Sequence, residues 1–244
     1  MEFTYRSYEK LIHLLTDSGY EIADYHNYNG KCVILRHDID YSLEKALQMA
    51  EFEKSGGVKS TYFVLLTSDF YNVHSRRSRN VLDRIMNLGH EIGLHFDETC
   101  YPDASSNDLI YYINKEKGVL GDIIDKDITT LSMHRPSKII LENDIQIPNL
   151  VNSYSNIFFK EFKYLSDSRM RWREPAEDII RSGEFDRFQI LTHAIWYSKD
   201  ATALSMREVL LNFINESKSD RYEFLNENFT DLKDVIKKEE LIGT

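Results

Sequence analysis

Short apolar runs alternate with helix-patterned segments along this chain, and that alternation restricts its fold more than any other feature. KCVIL (31–35), VKSTYFVLL (58–66), EIGLHF (91–96), ITTLSMH (128–134) and RFQILTHAI (187–195) read as strands, and residues 156–166 hold a further one. Between them the spacing of apolar residues predicts helices over 42–54, 78–89, 107–124 and 174–183. The first of these is closed by Gly56-Gly57, and the last carries Pro175 at an early position, where a missing N–H does no harm. Strands separated by helices form βαβ units and a mainly parallel sheet. Their short, even spacing predicts a (β/α) barrel. No linker, repeat or low-complexity segment interrupts the pattern, so residues 1–244 read as one domain. A helix over 5–18, stopped by Gly19, and further helices from about residue 202 pack on that barrel.

Composition excludes several functions. The formal charge is −10, and Lys and Arg are scattered rather than striped, which argues against nucleic acid as a partner. No run approaches the about 20 apolar residues of a membrane span. The opening MEFTYRSYEK has no apolar signal core, so a cytoplasmic location is expected. Two cysteines cannot supply a disulfide framework, and Cys32, inside a strand, reads as a small core residue.

In barrels of this class the functional residues gather at the C-terminal ends of the strands. Here those ends carry Asp38 and Asp40, Ser68 and Asp69, His95 and Asp97, His134 and Arg135, Asp167, and His193. Alternate residues of a strand share a face, so Arg36, Asp38 and Asp40 point one way while His37 and Ile39 point the other. Converging carboxylates beside a buried sheet are costly unless a cation or donor compensates. Asp40 or Ser42 would also serve to cap the following helix. Asp40, His95 and His134 make a His/His/Asp set suited to a hydrolytic metal. Asp38 fits the base that takes a proton from water, His193 fits the acid that protonates a leaving group, and Arg135 can pair with Asp38 to hold it ionised.

These residues carry a resemblance. From about Val33 to Ile195 the sequence resembles the polysaccharide deacetylases, the NodB-homology or carbohydrate esterase family 4 domain. The resemblance implies a distorted (β/α) barrel of about seven strands and a divalent metal, most often zinc, used to remove acetyl groups from N-acetylated sugars. It implies Asp38 as base and Asp40 as ligand in HDID, His95 as ligand in GHEIGLH with His90 structural, and Arg135 with Pro136 in HRPS. It further implies Asp167 and Trp172 in DSRMRW, and His193 as acid in ILTH. The sequence departs from the family in placing Ile39 between the aspartates and Thr99 where a second metal histidine stands. His134 is therefore taken as the third ligand, with Asp97 the alternative. Arg171 also stands before Trp172, where the family has an acid.

HDID, GLHFD and HRP together look closer to a branch associated with bacterial surface-polysaccharide biosynthesis. The expected function is thus metal-dependent deacetylation of an N-acetyl sugar or its nucleotide- or lipid-linked precursor, with Trp172 and Trp196 as candidates for sugar contact. The alternatives are another amide or imide hydrolysis or sugar modification on the same fold, and a non-catalytic carbohydrate-binding relative that has lost its metal.

Overall fold

A computed structural model of the chain describes residues 1–199 and 202–242. The chain divides into two compact units, Met1–Ala201 and Thr202–Thr244.

The first unit opens with α1 (Tyr5–Asp17), whose N-terminus is capped by the Thr4 hydroxyl. There follow β1 (Glu21–Ala23), β2 (Cys32–Ile39), α2 (Leu43–Ser55), β3 (Thr61–Leu65), α3 (Arg76–Asn87), β4 (Glu91–Asp97), α4 (Ser106–Ile124) and β5 (Thr130–His134). After these come α5 (Lys138–Glu142), β6 (Val151–Asn152), β7 (Lys163–Ser166), α6 (Ala176–Ser182) and β8 (Arg187–Thr192). Seven strands run parallel in the order β6-β5-β4-β3-β2-β8-β7 and curl into a half-barrel flanked by helices, a distorted (β/α) barrel. β1 pairs in parallel with the first half of β2, along the edge that β3 takes over from Arg36 onward.

Three elements escaped the sequence pattern. β1 and β6 have three and two residues, too few to show a period, and α5 has five. The apolar start of the 156–166 segment is a π-helical turn, Ile157–Glu161, and the strand begins only at Lys163.

The two faces of the sheet have different chemistry. Toward the helices, Ile39, Tyr62, Val64, Ile92, Leu94, Phe96, Leu131 and Met133 form the main core with α2, α3 and α4. Toward the concave side, Cys32, Ile34 and Phe63 join Tyr25, Phe158 and Phe162 in a plug near the strands' N-terminal ends. Beyond that plug the same faces carry Arg36, Asp38, His95, Ser132 and His134, all buried. Gly93 lies on this concave face. A Cβ there would come within 2.5 Å of Thr130 Oγ1 and 2.6 Å of the Phe63 ring, so no larger residue fits without displacement.

The second unit is helical: α7 (Met206–Asn228), α8 (Leu232–Val235) and α9 (Lys238–Ile242). Ser205 and Glu208 form a reciprocal cap at the start of α7. The Tyr222 hydroxyl donates to the Ile236 carbonyl at 3.1 Å, tying α7 to the turn after α8.

Candidate active site and metal centre

The side chains singled out at the strand ends converge. β2 delivers Asp38 and, one residue beyond its end, Asp40; β4 delivers His95; β5 ends in His134; β8 runs into His193. Asp167 follows β7 and lies beside His193. Ser42, not Asp40, caps α2, accepting from the Lys45 N–H at 3.2 Å. The Asp40 carboxylate is therefore free of the capping role.

Asp40, His95 and His134 bring one ligand atom each into a cluster. Asp40 Oδ1 is 3.2 Å from His95 Nε2 and 3.4 Å from His134 Nδ1, and the two ring nitrogens are 3.1 Å apart. Tetrahedral coordination at bond lengths of about 2.0–2.1 Å separates neighbouring ligand atoms by about 3.3 Å. The three atoms thus match three corners of such a tetrahedron. Asp40 Oδ1 is buried and, among the described residues, no hydrogen bond of ordinary geometry reaches it, an arrangement that a cation would relieve. Burial pushes the Asp40 carboxyl up, but the imidazoles of His134 and His95 outweigh it and hold it well below the usual carboxylate range. The set fits a divalent metal. Asp97, the alternative ligand, is engaged elsewhere: its Oδ1 accepts from Thr99 N at 3.0 Å and Thr99 Oγ1 at 2.7 Å, capping a short 3-10 turn.

Asp38 adjoins this cluster, with Oδ2 3.6 Å from His95 Nε2. Its counter-charge corrects the expectation from sequence. Arg36, not Arg135, holds it: Nη2 donates to Oδ2 at 2.7 Å and Nε to Oδ1 at 3.3 Å, a two-pronged contact. Arg36 is wholly buried. It lies 5.2 Å from both the Phe63 and Tyr154 rings, and donates further to Ser153 Oγ at 2.8 Å and to Ser132 Oγ. Burial raises the Asp38 pKa, yet the Arg36 guanidinium, with His95 and His193, brings it below the usual range. The signal was in the sequence, since Arg36 precedes Asp38 by two residues on one strand face. Arg135 instead turns through a left-handed backbone (φ 52°) and donates from Nε to His134 Nε2 at 2.9 Å. A cation on His134 Nδ1 would leave the ring proton at Nε2, which could then no longer accept from Arg135.

His193 stands opposite. Its Nδ1 is 2.6 Å from Asp167 Oδ1, its backbone N–H donates to Asp167 Oδ2 at 3.1 Å, and its Nε2 is 3.8 Å from Asp40 Oδ2. Burial lowers the His193 pKa, but Asp167, by charge and hydrogen bond, with Asp40 and Asp38, lifts it to about 9. Asp167 is itself fully buried. Trp196 is buried too, with its ring 6.4 Å from that of His193 and 6.3 Å from Tyr41. It packs against the histidine rather than presenting an open ring face. Trp172 is half-buried. Between the carboxylates and Ala194 lies a slot of about 10 Å³, lined also by Tyr41, Ser42 and Ile195. Ile39 and Ala46 complete its wall, and it has about the space of one water molecule.

A second polar cluster, unforeseen from sequence, occupies the other face of β2. His37 Nε2 lies 2.9 Å from Glu53 Oε1, and Thr192 Oγ1 lies 2.8 Å from His37 Nδ1. Glu53 also accepts from the hydroxyls of Tyr8 at 2.5 Å, Ser60 at 2.7 Å and Tyr62 at 2.7 Å. His90 Nδ1 accepts from the Ser60 N–H at 3.2 Å, and His90 Nε2 faces the Ala50 carbonyl at 3.0 Å. It is a packing histidine between α2 and β4.

No protein-family model and no curated protein matches the chain. Solved structures of carbohydrate esterase family 4 proteins are similar to it. Peptidoglycan deacetylase PdaC from Bacillus subtilis shares 16% identity over 85% of this chain and 100% of that one, with a TM-score of 0.47. The catalytic domain of peptidoglycan N-acetylglucosamine deacetylase from Eubacterium rectale shares 15% over 82% and 89%, with a TM-score of 0.47. A family 4 pseudoenzyme from Bacillus anthracis shares 14% over 80% and 63%, with a TM-score of 0.45. Among the described residues no helix is long and apolar enough to cross a membrane.

Proposed function

We propose that the chain is a zinc-dependent hydrolase that removes the acetyl group from an N-acetylated sugar or its activated precursor, in bacterial surface-polysaccharide biosynthesis. The observation that carries this reading is the placement of two differently tuned proton carriers on either side of one His/His/Asp cluster. Asp38 is ionised by its contact with Arg36, and His193 is protonated by its contact with Asp167. Paired groups whose environments push their pKa values apart divide acid and base roles between them.

Zinc held by Asp40, His95 and His134 would supply Lewis acidity to a carbonyl oxygen and to water. Asp38 takes the proton of the attacking water, and Arg36 fixes the carboxylate in two-pronged geometry on the concave face. His193 donates from Nε2 to the departing amine nitrogen, and Asp167 holds the ring's Nδ1 and stabilises its positive form. Trp196 and Ala194 pack beside the histidine and limit its access to water.

The test is acetate release from N-acetylated sugars, free, nucleotide-linked and polyprenyl-phosphate-linked, by protein loaded with zinc. Release that disappears with chelator and returns with zinc supports the proposal. Zinc-loaded protein that releases no acetate from any of them overturns it.

A further inference from the structure

The segment joining β7 to α6 carries three arginines within five residues, Arg169, Arg171 and Arg173. All three are exposed, and among the described residues none has an acidic partner. The flanking acids are taken: Asp167 holds His193 at 2.6 Å, and Glu174 accepts from Lys163 Nζ at 2.6 and 2.9 Å. Arg77 pairs with Glu44 at 2.7 Å and Arg84 with Glu51, whereas exposed arginines such as Arg6, Arg76 and Arg181 stand singly without an acid among the described residues; only this loop gathers three such arginines within five residues. With 40 acidic against 30 basic residues, the chain has no shortage of partners. Three open guanidiniums at alternate positions of one short loop make a local cationic segment on a chain of net charge −10.

Their position matters. The segment begins where β7 ends, beside β8 and His193, and the Arg171 N–H returns to the Asp167 carbonyl at 3.1 Å. Arg169 and Met170 both take left-handed backbone, φ 60° and 53°, which turns the chain sharply at the strand's end. The indole N–H of Trp172, between Arg171 and Arg173, is buried with no acceptor among the described residues. The loop is thus rich in donors and poor in acceptors. Planar guanidiniums match phosphate oxygens in two-pronged contacts. A chain of net charge −10 also needs a local cationic patch to admit an anionic ligand.

We propose that this arginine loop binds the phosphate of an activated sugar, a sugar carried on a phosphate or diphosphate ester, and so places its N-acetyl group at the Asp40/His95/His134 centre. The choice of substrate rests on the deacetylase reading; the phosphate site does not.

The experiment compares the full chain with a triple variant, Arg169→Gln, Arg171→Gln and Arg173→Gln, and with the triple Arg→Lys variant. Binding of pyrophosphate, UDP and farnesyl phosphate is measured by calorimetry against uridine and farnesol as uncharged controls. The Gln variant should weaken binding of the phosphorylated probes roughly 10- to 100-fold, as loss of charge-assisted hydrogen bonds implies. The Lys variant should keep most of the affinity and its salt dependence. Whether UDP or farnesyl phosphate binds better distinguishes a nucleotide carrier from a lipid one. The proposal is overturned if pyrophosphate does not bind, if the Gln variant binds it as the parent does (phosphate then sits at the metal), or if both triple variants lose binding equally. Loop-dependent binding without acetate release from any substrate would uphold this site while refuting the deacetylase. Acetate release from uncharged sugars, with no loop-dependent binding, would do the reverse.

Discussion

Arg36→Met is the perturbation that most sharply tests how the site is held. Arg36 is fully buried, and its removal leaves Asp38, itself buried, without its two-pronged partner and with only the imidazoles of His95 and His193 nearby. Breaking one side of a buried ion pair costs about 3–5 kcal/mol, because the surviving charge is stranded in a poorly solvating interior. The hydroxyls of Ser132 and Ser153 lose a donor as well. Methionine fills much of the volume between Phe63 and Tyr154, so little of the loss comes from a cavity. Urea unfolding followed by circular dichroism, in chelator so that metal affinity does not contribute, should show a midpoint lowered by about 1–2 M at a slope of about 2–3 kcal/mol per M. Arg135→Ala, at an exposed residue that donates to His134, should cost no more than about 1 kcal/mol. The decisive comparison is Arg36→Met with Asp38→Asn in one chain. Removing both charges should recover at least about half of the loss, since the penalty lies in the orphaned carboxylate. A single variant that loses under about 1 kcal/mol, or a double variant whose loss equals the sum of the two singles, would show that Arg36 and Asp38 are not coupled as the geometry states.

Other outcomes follow from the same contacts. His95→Ala or Asp40→Asn should abolish stoichiometric zinc binding measured by elemental analysis, whereas Asp38→Asn should keep the metal and lose turnover; zinc loss in Asp38→Asn would mean that base and ligand have been exchanged. His193→Gln should lower kcat by about 10²–10⁴-fold with zinc content unchanged, and a kcat within threefold of the parent would remove it from the acid role. Glu53 gives a pH prediction. Burial raises its pKa, but His37 by charge and hydrogen bond, with Tyr8 and His90, brings the folded value to about 2 from an ordinary 4.5. The folded value is the lower one, so the stabilisation is complete above about pH 4.5 and is lost as pH falls through about 2, roughly 3 kcal/mol in all. Glu53→Gln should flatten stability against pH in that window, and an unchanged slope would refute the assignment.

The sequence made the βαβ order legible because each main strand is a run of at least five residues bounded by turn or capping signals. β1 and β6 were not legible, since two or three residues carry no period. The strand ends predicted the residues that meet, because a parallel sheet gathers those ends on one side whatever the details of its curl. What spacing could not deliver was partnership. Strand alternation offered Arg36 to Asp38 and the family resemblance offered Arg135; spacing alone does not choose between them, and in the curled sheet Arg36 is the guanidinium that faces Asp38. The His37–Glu53 cluster was hidden for a similar reason: its members come from α1, β2, α2, β3 and β8, plus residues 60 and 90 just outside strands. Each member looks alone like an ordinary surface or core residue.

The spacing in HDID acquires a physical meaning from these two clusters. Strand alternation sends Arg36 and Asp38 to the concave side, while His37 and Ile39 go to the helix side. Adjacent aspartates within the strand would be divided between those faces. A single intervening residue keeps both carboxylates near His95, with Ile39 buried in the core as an anchor. His37 anchors the same strand from behind. It links β2 to α2 through Glu53 and to β8 through Thr192, the residue before His193. The register between Asp38 and His193 is therefore held from the face that takes no part in the chemistry. A change at Glu53 or His37 would act on the geometry of the proposed site through the backbone, without touching Asp40, His95 or His134.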